Sequence, residues 1–341
     1  MSSIVVVKNL KKKYGQIEAL KGISFTVNRG EIFGILGPNG AGKTTTIRCI
    51  TTLAKPDEGE IWIDGVSAIS QPRVVREKIG YVAQEVALDK ILTGRELLSL
   101  QASLYHLPPE TARERINELI QLLGLQEYAS RQTGTYSGGM KKRLDLAAGL
   151  LHKPQILILD EPSVGLDIES RKIIWDFLRQ LSQEGTTVIL TSHYLEEIDA
   201  LADRLVIIDQ GRVIAEGTPS DLKDRIGGER VTVRIREFTP AEEAKTAKEK
   251  LSQLPFVKEI IINAAEGNSL NLIVTPGNNA LTTIEKTLTE MNLPVFSISQ
   301  SRPSLDDVYL AATGKTLLQA DIEAMSMRDL KAEKKQAMTA G

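Results

Sequence analysis

Residues Gly37-Pro-Asn-Gly-Ala-Gly-Lys-Thr44 match the pattern G-x-x-x-x-G-K-[ST], and the flanks of this octet limit what the surrounding chain can fold into. The apolar run at 31–36 predicts a buried strand, and 44–50 predicts a helix. A strand that passes through such a loop into a helix points free N–H groups, and the positive end of the helix dipole, at the loop. Gly37, Gly40 and Gly42 permit backbone conformations that other residues avoid, so amides can approach an anion closely. Lys43 adds a full charge suited to β- and γ-phosphates, and the Thr44 hydroxyl suits Mg²⁺. The stretch Gly37, Pro38, Asn39, Gly40, Ala41, Gly42, Lys43, Thr44 and Thr45 is therefore expected to bind a nucleotide.

At 341 residues the chain has room for two domains, or for one large domain with an appendage. A net charge of −2 and a pI near 6.1 give no global attraction to nucleic acid or to an anionic membrane. The single cysteine, Cys49, falls on the helix after the loop and reads as a small buried hydrophobe. With no internal disulfide available, a reducing cytosol is the expected compartment. The N-terminus lacks the pattern of a signal peptide, and no run reaches the roughly 18 apolar residues of a membrane span. A soluble chain is expected, one that reaches a membrane through a partner.

Strand and helix signals alternate over residues 1–225. Strands are predicted at 4–10, 17–27, 60–64 and 79–83, and helices at 94–106 and, after Pro108-Pro109, at 110–123. A helix at 139–152 precedes the apolar strand 155–159; then come helix 169–184, strand 187–191 and helix 194–202. The pair 204–209 and 212–216, split by Gln210-Gly211, predicts a hairpin. This alternation implies an α/β fold around a mainly parallel sheet.

Three further groups carry chemistry. Ser137-Gly138-Gly139 opens the 139–152 helix, and paired glycines with a serine hydroxyl at a helix N-terminus make a second anion cradle. Because it opens a different helix from Lys43, two chains facing head to tail would let each cradle serve the other's nucleotide. Asp160 and Glu161 end a buried strand, where successive side chains take opposite faces. Asp160 is expected to hold the Mg²⁺ shell, and Glu161 to orient or deprotonate the attacking water. Gln84 and His193 follow strands at the same sheet end. The Gln84 amide can touch water, the metal shell and a moving partner, and His193 can contact a γ-phosphate.

In this order the motifs resemble the nucleotide-binding subunit of ATP-binding cassette (ABC) transporters over roughly residues 4–225. The resemblance implies a P-loop NTPase cassette with antiparallel N-terminal strands and a helical insertion at about 85–130. It makes Tyr14 the adenine-stacking aromatic, Gly37–Thr44 the Walker A loop, Gln84 the Q-loop and Ser137-Gly138-Gly139 the signature. Asp160 and Glu161 become Walker B, Asp167 a D-loop residue at the ATP site, and His193 the switch histidine. The commonest signature, L-S-G-G-Q, is altered at both ends, to Tyr136 and Met140. The family implies ATP and Mg²⁺ as ligands, with Thr44, Gln84 and Asp160 around the metal and Glu161, His193 and Gln84 in catalysis. It also implies a homodimer or heterodimer of cassettes, a separate ABC permease, no nucleic acid, and a cytoplasmic position on the inner face of the cell membrane. Soluble cassette ATPases are the alternative, yet those of translation usually carry two cassettes and those of chromosomes a long coiled coil. This chain has one cassette and no heptad run. An importer ATPase is the other alternative.

From residue 226 the pattern changes. Strands at 230–236, 256–262, 269–274 and 295–299, with helices at 240–254 and 280–291, give the β-α-β-β-α-β order of a small α+β, ferredoxin-like domain over 226–300. Its second sheet face is expected to be free. The segment 301–314, with Ser304 as N-cap, Asp307 three residues on and Gly314 as stop, predicts a docking helix. It also resembles the closing motif of daunorubicin/doxorubicin-resistance-type ATP-binding subunits, whose partners are export permeases. The tail 315–341 reads as a frayed helix or disordered.

Overall fold

The structure, a computed structural model, describes residues 2–275 and 279–326. It divides into two units, Met1–Glu216 and Gly217–Gly341. In the first, β1 (Ser3–Tyr14), β2 (Ile17–Asn28) and β3 (Ile32–Leu36) are followed by α1 (Lys43–Ile50), β4 (Glu58–Ile63) and β5 (Val66–Ser67). Then come α2 (Pro72–Lys78), β6 (Ile79–Val82), α3 (Gly94–Leu104), α4 (Pro109–Leu122) and α5 (Gly138–Leu150). The unit closes with β7 (Ile156–Asp160), α6 (Ile168–Gln183), β8 (Thr187–Ser192), α7 (Leu195–Leu201), β9 (Arg204–Asp209) and β10 (Arg212–Gly217).

Two sheets result. One has the order β2-β1-β4-β5 and is antiparallel; the other has the order β10-β9-β3-β8-β7-β6. In the second, β9-β3, β3-β8, β8-β7 and β7-β6 are all parallel. Every residue of β3, β7 and β8 is buried, as expected of strands covered on both faces. The sheets share one core, in which Val5, Leu20 and Phe25 join Ile35, Ile158 and Val206. Strand β1 runs past the expected 4–10 because Lys11, Lys12 and Lys13 stay paired, through ion pairs to Glu58, Asp57 and Glu18. Cys49 is buried, and burial pushes its thiol up to about 11.

In the second unit α8 (Pro219–Ile226) precedes β11 (Glu229–Arg234), α9 (Ala241–Leu251), β12 (Val257–Asn263), β13 (Ser269–Val274), α10 (Ala280–Glu290), β14 (Ser297–Ser301) and α11 (Leu305–Thr313). The sheet order β12-β13-β11-β14 is antiparallel throughout and ferredoxin-like. The division between units falls ahead of the expected break at 225 because α8 packs against α11. Ser304 and Asp307 cap α11 reciprocally, and Gly314 stops it in the left-handed region.

The second sheet face is not free, contrary to the expectation. Leu270, Leu272 and Val274 face α9 and α10, yet the alternate residues Ser269, Asn271 and Ile273 are buried as well. Arg230 on β11 reaches both Asn271 and the buried Asp307 of α11, so the closing helix covers that face. Leu305, Val308, Tyr309 and Leu310 are all buried. Residues 317–326 are helical, and the rest of the expected tail, 327–341, lies outside the described residues.

Candidate nucleotide site

The parallel strands end together, which puts the loops after β3, β6, β7 and β8 along one edge, where α/β sheets bind ligands. In the loop after β3, Gly37, Gly40 and Gly42 all have positive φ. Gly42 is the clearest case: at φ 114° a side chain is strained, and a Cβ there would lie 2.8 Å from the Ala19 carbonyl. The loop is pinned from that side, with Gly211 N–H donating to Ala41 O at 2.8 Å and Lys21 N–H donating to Gly211 O at 2.8 Å. Pro38 and Ala41 are buried, Asn39 and Thr45 half-buried, and Gly40 and Thr44 exposed.

Lys43 is only 4% exposed. Its ammonium donates to Gly37 O at 2.8 Å and to Pro38 O at 3.2 Å, and lies 3.3 Å from Glu161 Oε1. Thr44 Oγ1 donates to Asp160 Oδ1 at 3.3 Å. A hydroxyl and a carboxylate this close, on the face of the phosphate loop, form the hard oxygen donor set that Mg²⁺ prefers. The donors present fit the ion.

Glu161, the first residue after β7, stands in the left-handed region at φ 49°. Such a conformation in a residue other than glycine costs free energy and persists only when neighbours enforce it. Thr191 is that neighbour: Glu161 N–H donates to Thr191 Oγ1 at 3.0 Å and to Thr191 O at 3.2 Å. Thr191 Oγ1 in turn donates to Asp160 Oδ1 at 2.6 Å. The Glu161 side chain then meets three groups. Gln84 Nε2 donates to its Oε2 at 2.9 Å, while His193 Nδ1 lies 3.2 Å and Lys43 Nζ 3.3 Å from its Oε1. Burial pushes this carboxyl up, but the His193 contact and the Lys43 charge outweigh it and hold the group below its ordinary value.

Sequence reasoning passed over Thr191, whose signal was a polar residue inside the apolar run of β8, in register with Asp160. One structural edge therefore gathers Lys43, Thr44, Gln84, Asp160, Glu161 and His193. Tyr14 ends β1, exposed, with the Lys12 ammonium 5.4 Å over its ring.

The signature residues stand on another element, α5. Ser137 caps it, its hydroxyl accepting from Met140 N–H at 3.3 Å. The two glycines differ. A Cβ on Gly139 would collide with the Ser170 side chain, its Cβ lying 2.7 Å away, whereas a Cβ on Gly138 meets open space. Gly139 thus serves the packing of α5 on α6, and among the described residues nothing crowds a Cβ on Gly138. Asp167 caps α6, accepting from Ser170 N–H at 2.7 Å and from its hydroxyl at 3.1 Å, and these bonds hold its carboxyl below the usual range. Tyr136 is buried and donates to Tyr128 O at 2.7 Å, with its hydroxyl packed where a Cβ on Gly94 would stand. It ties the signature turn to the start of α3, which accounts for one departure from the common signature.

Gly139→Ala is accordingly expected to destabilise the chain by about 1–3 kcal/mol through overpacking. Gly138→Ala should leave the urea midpoint unchanged or raise it, since alanine favours helix. Equal midpoints for the two variants would contradict the division of roles.

A parallel sheet carrying a lysine-bearing glycine loop, with a hydroxyl, two carboxylates, an amide and an imidazole at one edge, defines an ATPase of the P-loop class. Two family models match: "ABC transporter" over residues 20–164, and "ATP-binding protein DrrA1-3-like, C-terminal domain" over residues 217–313. The chain is 41% identical over 313 residues to a daunorubicin resistance ATP-binding protein of Streptomyces coeruleorubidus, covering 89% of this chain and 93% of that one. It is 38% identical to a linearmycin resistance ATP-binding protein of Bacillus subtilis, covering 91% and 98%. Among solved structures, a dimeric ATP-binding cassette in a post-hydrolysis state with ADP and phosphate matches with a TM-score of 0.58 at 30% identity, covering 63% of this chain and 98% of that one. The chain belongs to the ABC transporter family, as an ATP-binding and ATP-hydrolysing subunit of the daunorubicin-resistance type.

Proposed function

We propose that this chain energises export of a hydrophobic compound, as a drug or a lipid, through a separate ABC permease. It works as one of a pair of cassettes on the cytoplasmic face of the membrane. Among the described residues no helix is long and apolar enough to cross a membrane, so the spanning part falls to the permease. The relatives named for resistance to daunorubicin and linearmycin support export. Ile91, Leu100 and Leu104 leave apolar surface exposed on and beside the helical insertion, in keeping with a partner there.

In this reading Glu161 takes the proton of the attacking water or orients it, and His193 contacts the γ-phosphate. Lys43 and the loop amides from Gly37 to Thr45 bind the phosphates, and Tyr14 stacks on the adenine. Gln84 reports the state of the site to the permease. Mg²⁺, when bound, would be held by Thr44 and Asp160, with Gln84 beside them, and would neutralise charge on the β- and γ-phosphates. Ser137, Gly138 and Gly139 present α5 to the nucleotide of the second cassette, with Asp167 at the same seam. The open space beside Gly138 carries this part of the reading, because an exposed helix N-terminus bare of side chain is a place for a phosphate from outside the chain. A dimeric relative structure supports the pairing.

Ser137→Arg tests it. The variant should bind ATP as a monomer with unchanged affinity, lose its ATP-induced dimer and its turnover, and fail to support drug efflux when co-expressed with the permease. Loss of ATP affinity in the monomer would mean that the signature acts within one chain, and the head-to-tail reading would fall.

A further inference from the structure

Lys142 lies in the second turn of α5 and is only 4% exposed. Lysine is almost never buried to this extent unless its charge is satisfied. The ammonium donates to Ala83 O at 2.7 Å and lies 3.5 Å from Gln84 O, the two carbonyls that follow β6. Asp145, Asp160 and Glu197 face the same ammonium at longer range, and their charges offset part of the burial that lowers its pKa. The side chain of Gln84 is itself engaged, donating to Glu161 Oε2 at 2.9 Å. A continuous line of contacts therefore runs from the helix that Ser137 caps, through Lys142 and the backbone of residues 83 and 84, to the Glu161 carboxylate.

We propose that Lys142 is a positioning residue for hydrolysis: it ties the signature helix to the backbone of Ala83 and Gln84 and so holds the Gln84 amide against Glu161. The inference rests on the reading of Gln84 and Glu161 as parts of the hydrolytic site. A displacement of the residue-84 segment then moves α5 with it, so that one event alters both the carboxylate and the surface offered to the second cassette. The simpler role for a buried lysine is packing alone. The two differ in one respect: a packing residue lowers stability independently of Gln84, whereas a positioning residue acts through it.

The test is a double-mutant cycle on the full chain, reading steady-state ATP hydrolysis and thermal midpoint together. Lys142→Met should lower kcat by about 10- to 100-fold, the usual effect of misplacing a group near the chemistry, with KM within about threefold. Lys142→Arg, whose guanidinium reaches the same carbonyls, should stay within about threefold of the unaltered chain. In the Gln84→Ala background, Lys142→Met should cost no more than about a further twofold. Losses that multiply in the double variant, a folded methionine variant with unaltered kcat, or an arginine variant as slow as the methionine one would each overturn the proposal. If the methionine variant does not fold, Lys142→Gln enters the same cycle, and multiplying losses overturn the proposal there too. Turnover in Glu161→Gln as fast as in the unaltered chain is a separate result: it sinks the reading of Glu161 as the base rather than the Lys142 link.

Discussion

Glu161→Gln is expected to slow ATP turnover by about 10²–10⁴, the usual worth of a positioned base, while ATP affinity stays near normal. Glutamine keeps the shape and can still accept from Gln84, but it cannot take a proton or pair with the Lys43 ammonium, and its contact with His193 is no longer to a carboxylate. The backbone strain at φ 49° is the same for both residues, so the fold should survive. With hydrolysis blocked, ATP should trap a dimer, read as a doubling of mass in light scattering. Normal turnover in the variant would move the base elsewhere, with His193 the first alternative.

Lys43→Ala should weaken ATP binding by at least about 30-fold, the loss of a charged hydrogen-bond partner costing roughly 2 kcal/mol or more, and should end turnover. A fluorescent-nucleotide titration reads the first effect, and ATP binding at unaltered affinity would remove Lys43 from the site. The variant should also lose stability, because this ammonium serves the protein as well as the nucleotide: it is buried beside Glu161 and on two loop carbonyls. The direction of its pH dependence follows from Glu161, whose folded value is depressed. A depressed carboxyl stabilises above its unfolded value of about 4.3 and stops doing so as pH falls through the folded value. Removing Lys43 takes away one of the causes of that depression. The stability gap between the variant and the unaltered chain should therefore be widest at neutral pH and shrink as Glu161 protonates. A gap that widens towards acid would contradict the pairing.

Several elements were legible in the sequence for physical reasons. The octet 37–44 was legible between an apolar strand and a helix because its glycines adopt backbone angles that side chains resist. The buried strands β3, β7 and β8 announced themselves as continuous aliphatic runs. Ser304, Asp307 and Gly314 fixed both ends of α11 through local hydrogen bonds and one left-handed residue. Short elements escaped: α2, α8 and the two-residue β5 are too brief for periodicity to speak. The last strand starts at Ser297 rather than 295 because Phe296 N–H is taken by Arg234 and Ile235 carbonyls, a register set by the neighbouring strand.

What the sequence determined by itself was which residues could carry the chemistry, since residue type and spacing decide whether a loop can cradle phosphate and whether carboxylates end a buried strand. What only the tertiary structure decided was who holds whom. Thr191 braces Glu161 only because β7 and β8 pair in one register. Lys43 meets Glu161, Gly139 meets Ser170 and Lys142 meets the carbonyls beside Gln84 across elements remote in sequence. The second sheet face in the C-terminal unit is likewise buried under α11, which Arg230 and Asp307 tie to the sheet. Such pairings are set by packing, in which close approach and desolvation act between surfaces that the order of residues does not bring together.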